Sequence, residues 1–213
     1  MNLEQSDYAA IGLLVLMLGV TIHGYTQIEG DIAIHFDSSN QPDSTMEKLP
    51  GLALLPLVSI AVLALFKILP SIDTLKENVE NFKPAFKWLA VAITAFMAYI
   101  QALIVIWNLG VFFDISKAVI PAVAAVFYAV GLVMEKARRN WFIGLRTPWT
   151  LSSDEVWDRT HQKIAPWFKL AAFFSFGGLF FPDRVLESVV LPVVLVSVAG
   201  VVYSYKIYGE VEE

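Results

Sequence analysis

Two loops and one membrane segment of this chain carry side chains that can do chemistry. The first is a polar, aromatic-rich island, residues 140–161 (NWFIGLRTPWTLSSDEVWDRTH), in a chain that is 57% hydrophobic. His161 titrates near neutrality, as a general acid or base must. No nucleophile stands at a useful spacing from it, and there is neither a Gly-x-Ser-x-Gly elbow nor a His-Glu-x-x-His zinc pattern. Helical spacing puts His161 on one face with Trp157 and Ile164, which points to packing. Arg146 offers a planar five-donor fork suited to carboxylate or phosphate. Gly144 permits an unusual backbone angle. Pro148 fixes its own φ and steers Thr147 away from helix. The run Gly144-Leu145-Arg146-Thr147-Pro148-Trp149-Thr150 therefore reads as a shaped turn that holds Arg146 and Trp149. Two uses stay open: contact with an anion or a partner, or anchorage to lipid headgroups and helix carbonyls.

The second group is acidic: Glu29, Asp31, His35, Asp37, Asp43 and Glu47, all in residues 28–49. Carboxylates with a histidine can bind a divalent cation, but this spacing matches no metal motif, and no metal is assigned. A solvated acidic loop is the default, and its field would attract a cationic peptide. The third group is Thr94, Gln101 and Asn108, which recur every seventh residue and so share a helix face. Polar side chains inside a bilayer face protein or a water cavity. Interhelical hydrogen bonding is the commoner use. A substrate path would want a charge at mid-depth, and the apolar segments supply none convincingly.

Positioning these groups falls to membrane-grade helices. Only 16% of the residues are charged, against about 25% in soluble domains. A span needs about 20 mostly apolar residues, and about six segments qualify: residues 8–27, 50–69, 87–108, 116–134, 166–181 and 188–206. Pro182 and Asp183 are expected to make a tight turn between the last two. The first segment lacks the basic flank of a signal peptide and reads as a retained span. Lys67, Lys76, Lys83, Lys87, Lys136, Arg138, Arg139, Arg146, Arg159, Lys163, Lys169 and Lys206 fall on one side of that arrangement, and Lys48, Lys117 and Arg184 on the other. Basic loops are kept in the cytoplasm, so both termini and the island are expected inside and the acidic loop outside. The expected fold is an all-α polytopic membrane bundle, N-in and C-in, in one membrane domain over residues 1–213. Outside the spans, Thr74 with Glu77 and Ser152 with Glu155 have capping-box spacing. Leu75, Val79 and Phe82 follow the first pair as one apolar stripe.

Composition excludes other classes. With no cysteine, disulfides, thiol nucleophiles and thiolate metal sites are out. A net charge of -5 argues against direct nucleic-acid binding, which needs a basic stripe. No cofactor is indicated, and the chain reads as non-enzymatic.

The island resembles the C-terminal signature of the SdpI family of multi-span membrane immunity proteins. The resemblance rests on Asn140, the run from Ile143 through Gly144, Arg146, Thr147, Pro148, Trp149 and Thr150 to Leu151, and then Ser153, Glu155, Val156, Trp157, Thr160 and His161. Residues 111–213 form the SdpI-like half. Residues 1–110 resemble the uncharacterised N-terminal domain often joined to it, through His35-Phe36, Pro42-Asp43 and Lys48. Three positions depart from that pattern: Ala33 stands where the family tends to have Pro, Asp37 where it has Asn, and Asn40 where it has Gly. Asn tolerates left-handed backbone, so the turn at Asn40 is expected to survive.

The resemblance implies immunity to a secreted toxic peptide at the cell membrane, and in some members signalling to a cytoplasmic transcriptional repressor. On that footing Gly144, Arg146, Thr147, Pro148, Trp149, Thr150, Trp157, Thr160 and His161 are candidates for a cytoplasmic partner surface. His35, Asp37, Pro42 and Asp43 are candidates for an external one. A small-solute transporter or channel using the Thr94, Gln101 and Asn108 face is the alternative.

Overall fold

The computed structural model describes residues 3–37, 39–181 and 184–212. Among them, five helices are long and apolar enough to cross a membrane: α1 (Gln5–Gln27), α2 (Lys48–Ile72), α4 (Lys83–Asn108), α5 (Ile115–Met134) and α8 (Val185–Glu212). Their outward faces stay apolar. Leu16, Ile22, Leu57, Leu65, Leu195 and Val202 are all exposed. Water would not tolerate so much open apolar surface, and lipid does. The protein is a multi-pass membrane protein, as its composition requires.

The other described elements are β1 (Ile32–Phe36), β2 (Pro42–Met46), α3 (Lys76–Asn81), α6 (Pro148–Ser152), and α7 (Asp154–Ser175), which runs into a 3-10 turn (Phe176–Leu179). Helices α1, α2 and α4 pack on one another, α5, α7 and α8 do likewise, and α4 meets α5 between them.

Three expectations change. The acidic loop is an antiparallel hairpin rather than irregular chain, with Ile32 opposite Met46, Ala33 opposite Thr45 and Phe36 opposite Pro42. Ile32 is fully buried with Leu52 and Val105, and this burial tethers the hairpin to the ends of α2 and α4. Second, the segment 166–181 is not a separate span. It is the latter part of α7, which already begins at Asp154 and carries enough charge in its first half to fall short of the hydropathy of the other five. Lys169 packs by Gly131 and Gly178 by Ile120, so this part still runs the length of α5. The turn expected at Pro182 and Asp183 lies outside the described residues. Third, the caps differ. The box foreseen at Thr74 and Glu77 does not form: α3 starts after Leu75 with no side-chain cap, and Asp73 Oδ1 accepts from the Leu75 N–H at 2.7 Å. Ser153 rather than Ser152 caps α7, accepting from the Val156 N–H at 3.4 Å. The apolar stripe of the α2–α4 connection forms as expected, with Val79 and Phe82 buried against Phe86 and Trp157.

The bundle has two polar ends. Glu4 and Asp7 at the start of α1 meet Lys87 at 3.1 and 3.4 Å. Asp73 at the end of α2 accepts from the Trp141 N–H at 3.0 Å, and Thr147 meets Ser204 of α8 at 3.4 Å. The start of α1, the α2–α4 connection, the island and the last turns of α8 therefore share one end. The hairpin and the α4–α5 turn share the other.

Candidate functional site

The island is a folded knot most of whose polar groups answer to one another, the buried Thr160 hydroxyl being an exception. Asn140 is fully buried. Its Nδ2 donates to the Arg138 and Ile143 carbonyls at 2.8 and 2.9 Å. Its Oδ1 accepts from the Phe142 and Ile143 N–H groups at 2.9 and 2.7 Å. One side chain thus supplies the partners that a non-helical buried segment would otherwise lack. Gly144 follows at φ 118°, in the left-handed half of backbone space where a Cβ is costly. A Cβ here would also strike His161 Nε2 and the Trp157 ring.

That close approach exists so that the backbone can reach the imidazole. The Leu145 N–H donates to His161 Nε2 at 2.9 Å. A backbone N–H can only donate, so Nε2 must accept and the proton sits on Nδ1. Nδ1–H donates in turn to the Trp157 carbonyl at 2.9 Å. The ring stacks on Trp157 with centroids 4.0 Å apart and planes at 17°. The Trp157 indole N–H donates to the Ala137 carbonyl at 2.9 Å. Burial pushes the His161 pKa from 6.5 down to about 4, against a smaller opposing pull from the Trp157 carbonyl. A neutral histidine with both nitrogens engaged is no free base at neutral pH.

Thr147 and Thr150 close α6 reciprocally. The Thr147 N–H donates to Thr150 Oγ1 at 2.8 Å and the Thr150 N–H to Thr147 Oγ1 at 3.2 Å, with Pro148 at the first helical position, where its missing N–H does no harm. The Trp149 indole N–H donates to Ser204 Oγ, and its ring meets Tyr205 edge-on at 5.3 Å. These contacts dock α8 on the island. The expected contact surface therefore divides. Thr147, Thr150, Trp157, Thr160 and His161 lie inside. Arg146 and Pro148 are exposed, and Trp149 partly so.

Arg146 differs from its neighbours. Arg138 pairs with Asp158, Arg139 with Asp154 and Arg159 with Glu210. Among the described residues Arg146 makes no ion pair, and its Nη1 donates to the Trp141 carbonyl at 2.6 Å. Trp141 beside it is 49% exposed. A cleft of about 660 Å³ opens nearby between Phe82, Pro84, Lys136, Arg138, Asp158 and His161.

Sequence reasoning did not assign roles to Asp73, Trp141 or Ser204. Asp73 did leave a signal. A carboxylate just past a helix C-terminus opposes the macrodipole, so it needs donors from elsewhere, here Leu75 and Trp141.

At the other end, His35 pairs with Asp43 across the strands. Asp37 Oδ1 accepts from the Ser39 and Gln41 N–H groups at 2.8 and 2.9 Å, and Asn40 takes the left-handed turn at φ 58°. Lys48 Nζ donates to the Ile28 carbonyl at 2.7 Å and the Tyr25 carbonyl at 3.3 Å, closing the end of α1. Phe36, Trp107 and Phe112 form an edge-to-face ladder. Among the described residues no three His, Asp or Glu side chains converge as a metal site.

The polar face of α4 ties elements together. Thr94 donates to the Ala90 carbonyl at 2.8 Å. Gln101 Nε2 donates to Thr21 Oγ1 and the Leu52 carbonyl at 2.9 and 3.0 Å, joining α4 to α1 and α2. Asn108 Oδ1 accepts from the Ala33 N–H at 2.9 Å and its Nδ2 donates to the Ala33 carbonyl at 3.0 Å.

The model of the SdpI/YfhL protein family matches residues 136–206, and that of a domain of unknown function, DUF1648, matches residues 12–60. The chain is 27% identical over 211 residues to "Immunity protein SdpI" of Bacillus subtilis (strain 168), covering 96% of this chain and 99% of that protein. No solved structure matches. The resemblance read from residues 140–161 and from His35 to Lys48 is borne out by these matches. The first takes in the whole island and most of α8, and the second most of the first span, the hairpin and the start of α2.

Proposed function

We propose that this SdpI-type membrane protein gives immunity to a secreted toxic peptide, meeting it at the hairpin end. The observation that carries the reading is the match to a protein named for immunity, which runs through both polar ends of the bundle rather than one. The bias of Lys and Arg puts the island in the cytoplasm and the hairpin outside. A secreted peptide then reaches the hairpin first, where Glu29, Asp31, Asp43 and Glu47 are exposed. On the cytoplasmic side Arg146, Pro148, Trp149 and Trp141 make the open face of the island. An unpaired guanidinium among aromatic rings suits an acidic protein surface, and a transcriptional repressor is the partner we assign to it.

Helix α4 connects the two. Its last residue, Asn108, holds β1, and Phe86 in its first turns packs in the cluster that contains Trp157. His161, committed on both nitrogens, is not free to act as a general base.

The test is challenge of sensitive cells with secreted peptide toxin, with the chain expressed or absent. Survival of the expressing cells is expected, and equal killing would overturn the reading. Cells expressing Arg146→Ala at matched protein levels are expected to survive but to release a reporter from repressor capture. Loss of survival in that variant would make the island part of protection itself.

A further inference from the structure

The hairpin is a two-stranded sheet, and such a sheet has two edges. One is closed in an unusual way. The Asn108 side-chain amide pairs with both the N–H and the C=O of Ala33, at 2.9 and 3.0 Å, as a neighbouring strand would. Ala33 therefore points its backbone groups away from β2. Thr45 is its partner in the register. In an antiparallel ladder a pair of this kind turns both residues' backbone groups outward. Thr45 thus presents its N–H and C=O at the opposite edge, and the register shifts that follow between Ala33, His35 and Phe36 end the regular alternation there. No other part of the described protein covers that edge, and residues 41–45 are all exposed.

We infer that the outer edge of β2 is a strand-addition site for an extended, cationic peptide segment. The backbone supplies the affinity, because an added strand satisfies donors and acceptors that the sheet leaves open. Charge supplies the choice of partner. Glu29, Asp31, Asp43 and Glu47 are exposed in and beside the hairpin. The one lysine among them, Lys48, is spent on the Ile28 and Tyr25 carbonyls, so the field there is negative. Pro42 has no N–H to offer, and the register shifts toward the turn confine pairing to Thr45 and its immediate neighbours. The inference rests on the immunity reading for the natural ligand, and the test separates the two.

The experiment uses full-length protein in lipid nanodiscs and a short synthetic peptide that alternates Lys and Val. Controls are the same peptide N-methylated at alternate residues, which keeps charge but blocks one backbone edge, and a Glu–Val version. Binding of the Lys–Val peptide is expected to exceed that of either control by about tenfold, the equivalent of one or two hydrogen bonds. Thr45→Pro, which removes the outward N–H, is expected to weaken binding to a similar degree. Thr45→Val, which keeps it, is expected to bind as wild type. In the unaltered protein the Thr45 amide is expected to exchange more slowly with peptide present, a readout that does not depend on any variant folding. Equal binding of the N-methylated peptide, or a Thr45 amide whose exchange does not change, would overturn the site. Wild-type protein that fails to protect cells while the strand still binds would sink the immunity reading alone. Protection by Thr45→Pro equal to wild type would sink the edge as the toxin's site and leave immunity standing.

Discussion

The two polar ends of the bundle hold their polar groups in opposite ways. At the island, Asn140, Thr147, Thr150, Trp157, Thr160 and His161 are inside, and most of them are bonded to backbone within the island itself. At the hairpin, Ile32 and Ala33 are inside, while the residues of β2 from Pro42 to Thr45 are exposed. The island spends its specific residues on being folded, and the hairpin leaves β2 and several carboxylates exposed. Distinctive sequence therefore marks architecture at one end, and the plainer acidic sequence marks the surface open to a ligand at the other.

The strongest way to break that contrast is Gly144→Ala. The substitution demands a left-handed alanine and pushes a methyl into His161 and Trp157. Together these should cost more than about 3 kcal/mol, seen as loss of folded protein in a detergent melt. A normal melt would mean that the island is not specified from within. Acid is the next probe. The His161 pKa is depressed from 6.5 to about 4, so below pH 6.5 the unfolded state binds the proton first. Its contribution is complete above about pH 6.5 and fades as pH falls toward 4. At pH 5 the loss should be about 2 kcal/mol. His161→Gln should lower stability at pH 7 and flatten this dependence. Unfolding curves at the two pH values check both, and equal pH dependence in the variant would remove His161 as the cause.

Much of this was readable in the residues, for a physical reason. Apolar runs must become helices in lipid, because no other element satisfies its own backbone there. The polar face of Thr94, Gln101 and Asn108 followed from helical spacing alone. The helix holding residues 166–181 starts earlier than expected, because hydropathy sees where a helix is apolar and not where it starts. Its first half, from Asp154, is a capped, charged helix that continues without a break. The hairpin was missed because β2 (Pro42–Met46) shows no apolar alternation: residues 42–45 are exposed, so no burial wrote a pattern into it. Trp157 and His161 were placed on one face correctly, but periodicity could not say that Gly144 would let the chain close over that face.

Asn108 tests whether the hairpin is held independently of the island. Asn108→Leu should cost about 1 to 2 kcal/mol locally, for a lost clamp at a partly buried site. The Ala33 amide should exchange faster, while exchange at Leu145, bonded to His161, should stay unchanged. Faster exchange at both would show that α4 transmits strain between the ends rather than separating them.

Arg146→Ala should have the smallest effect on folding and the sharpest on meaning. The side chain is exposed, makes no ion pair among the described residues, and its bond to the Trp141 carbonyl lies where water can replace it. Surface changes of this kind usually stay within about 0.5 kcal/mol, so the melt should match wild type. The Gly144 turn and the His161 bonds are formed by other atoms and should survive intact. If Arg146 served the architecture as its buried neighbours do, the melt would fall with theirs, and the island would have no face left for a partner. An unchanged melt with loss of repressor capture would place recognition on the one cation of the knot that folding does not use.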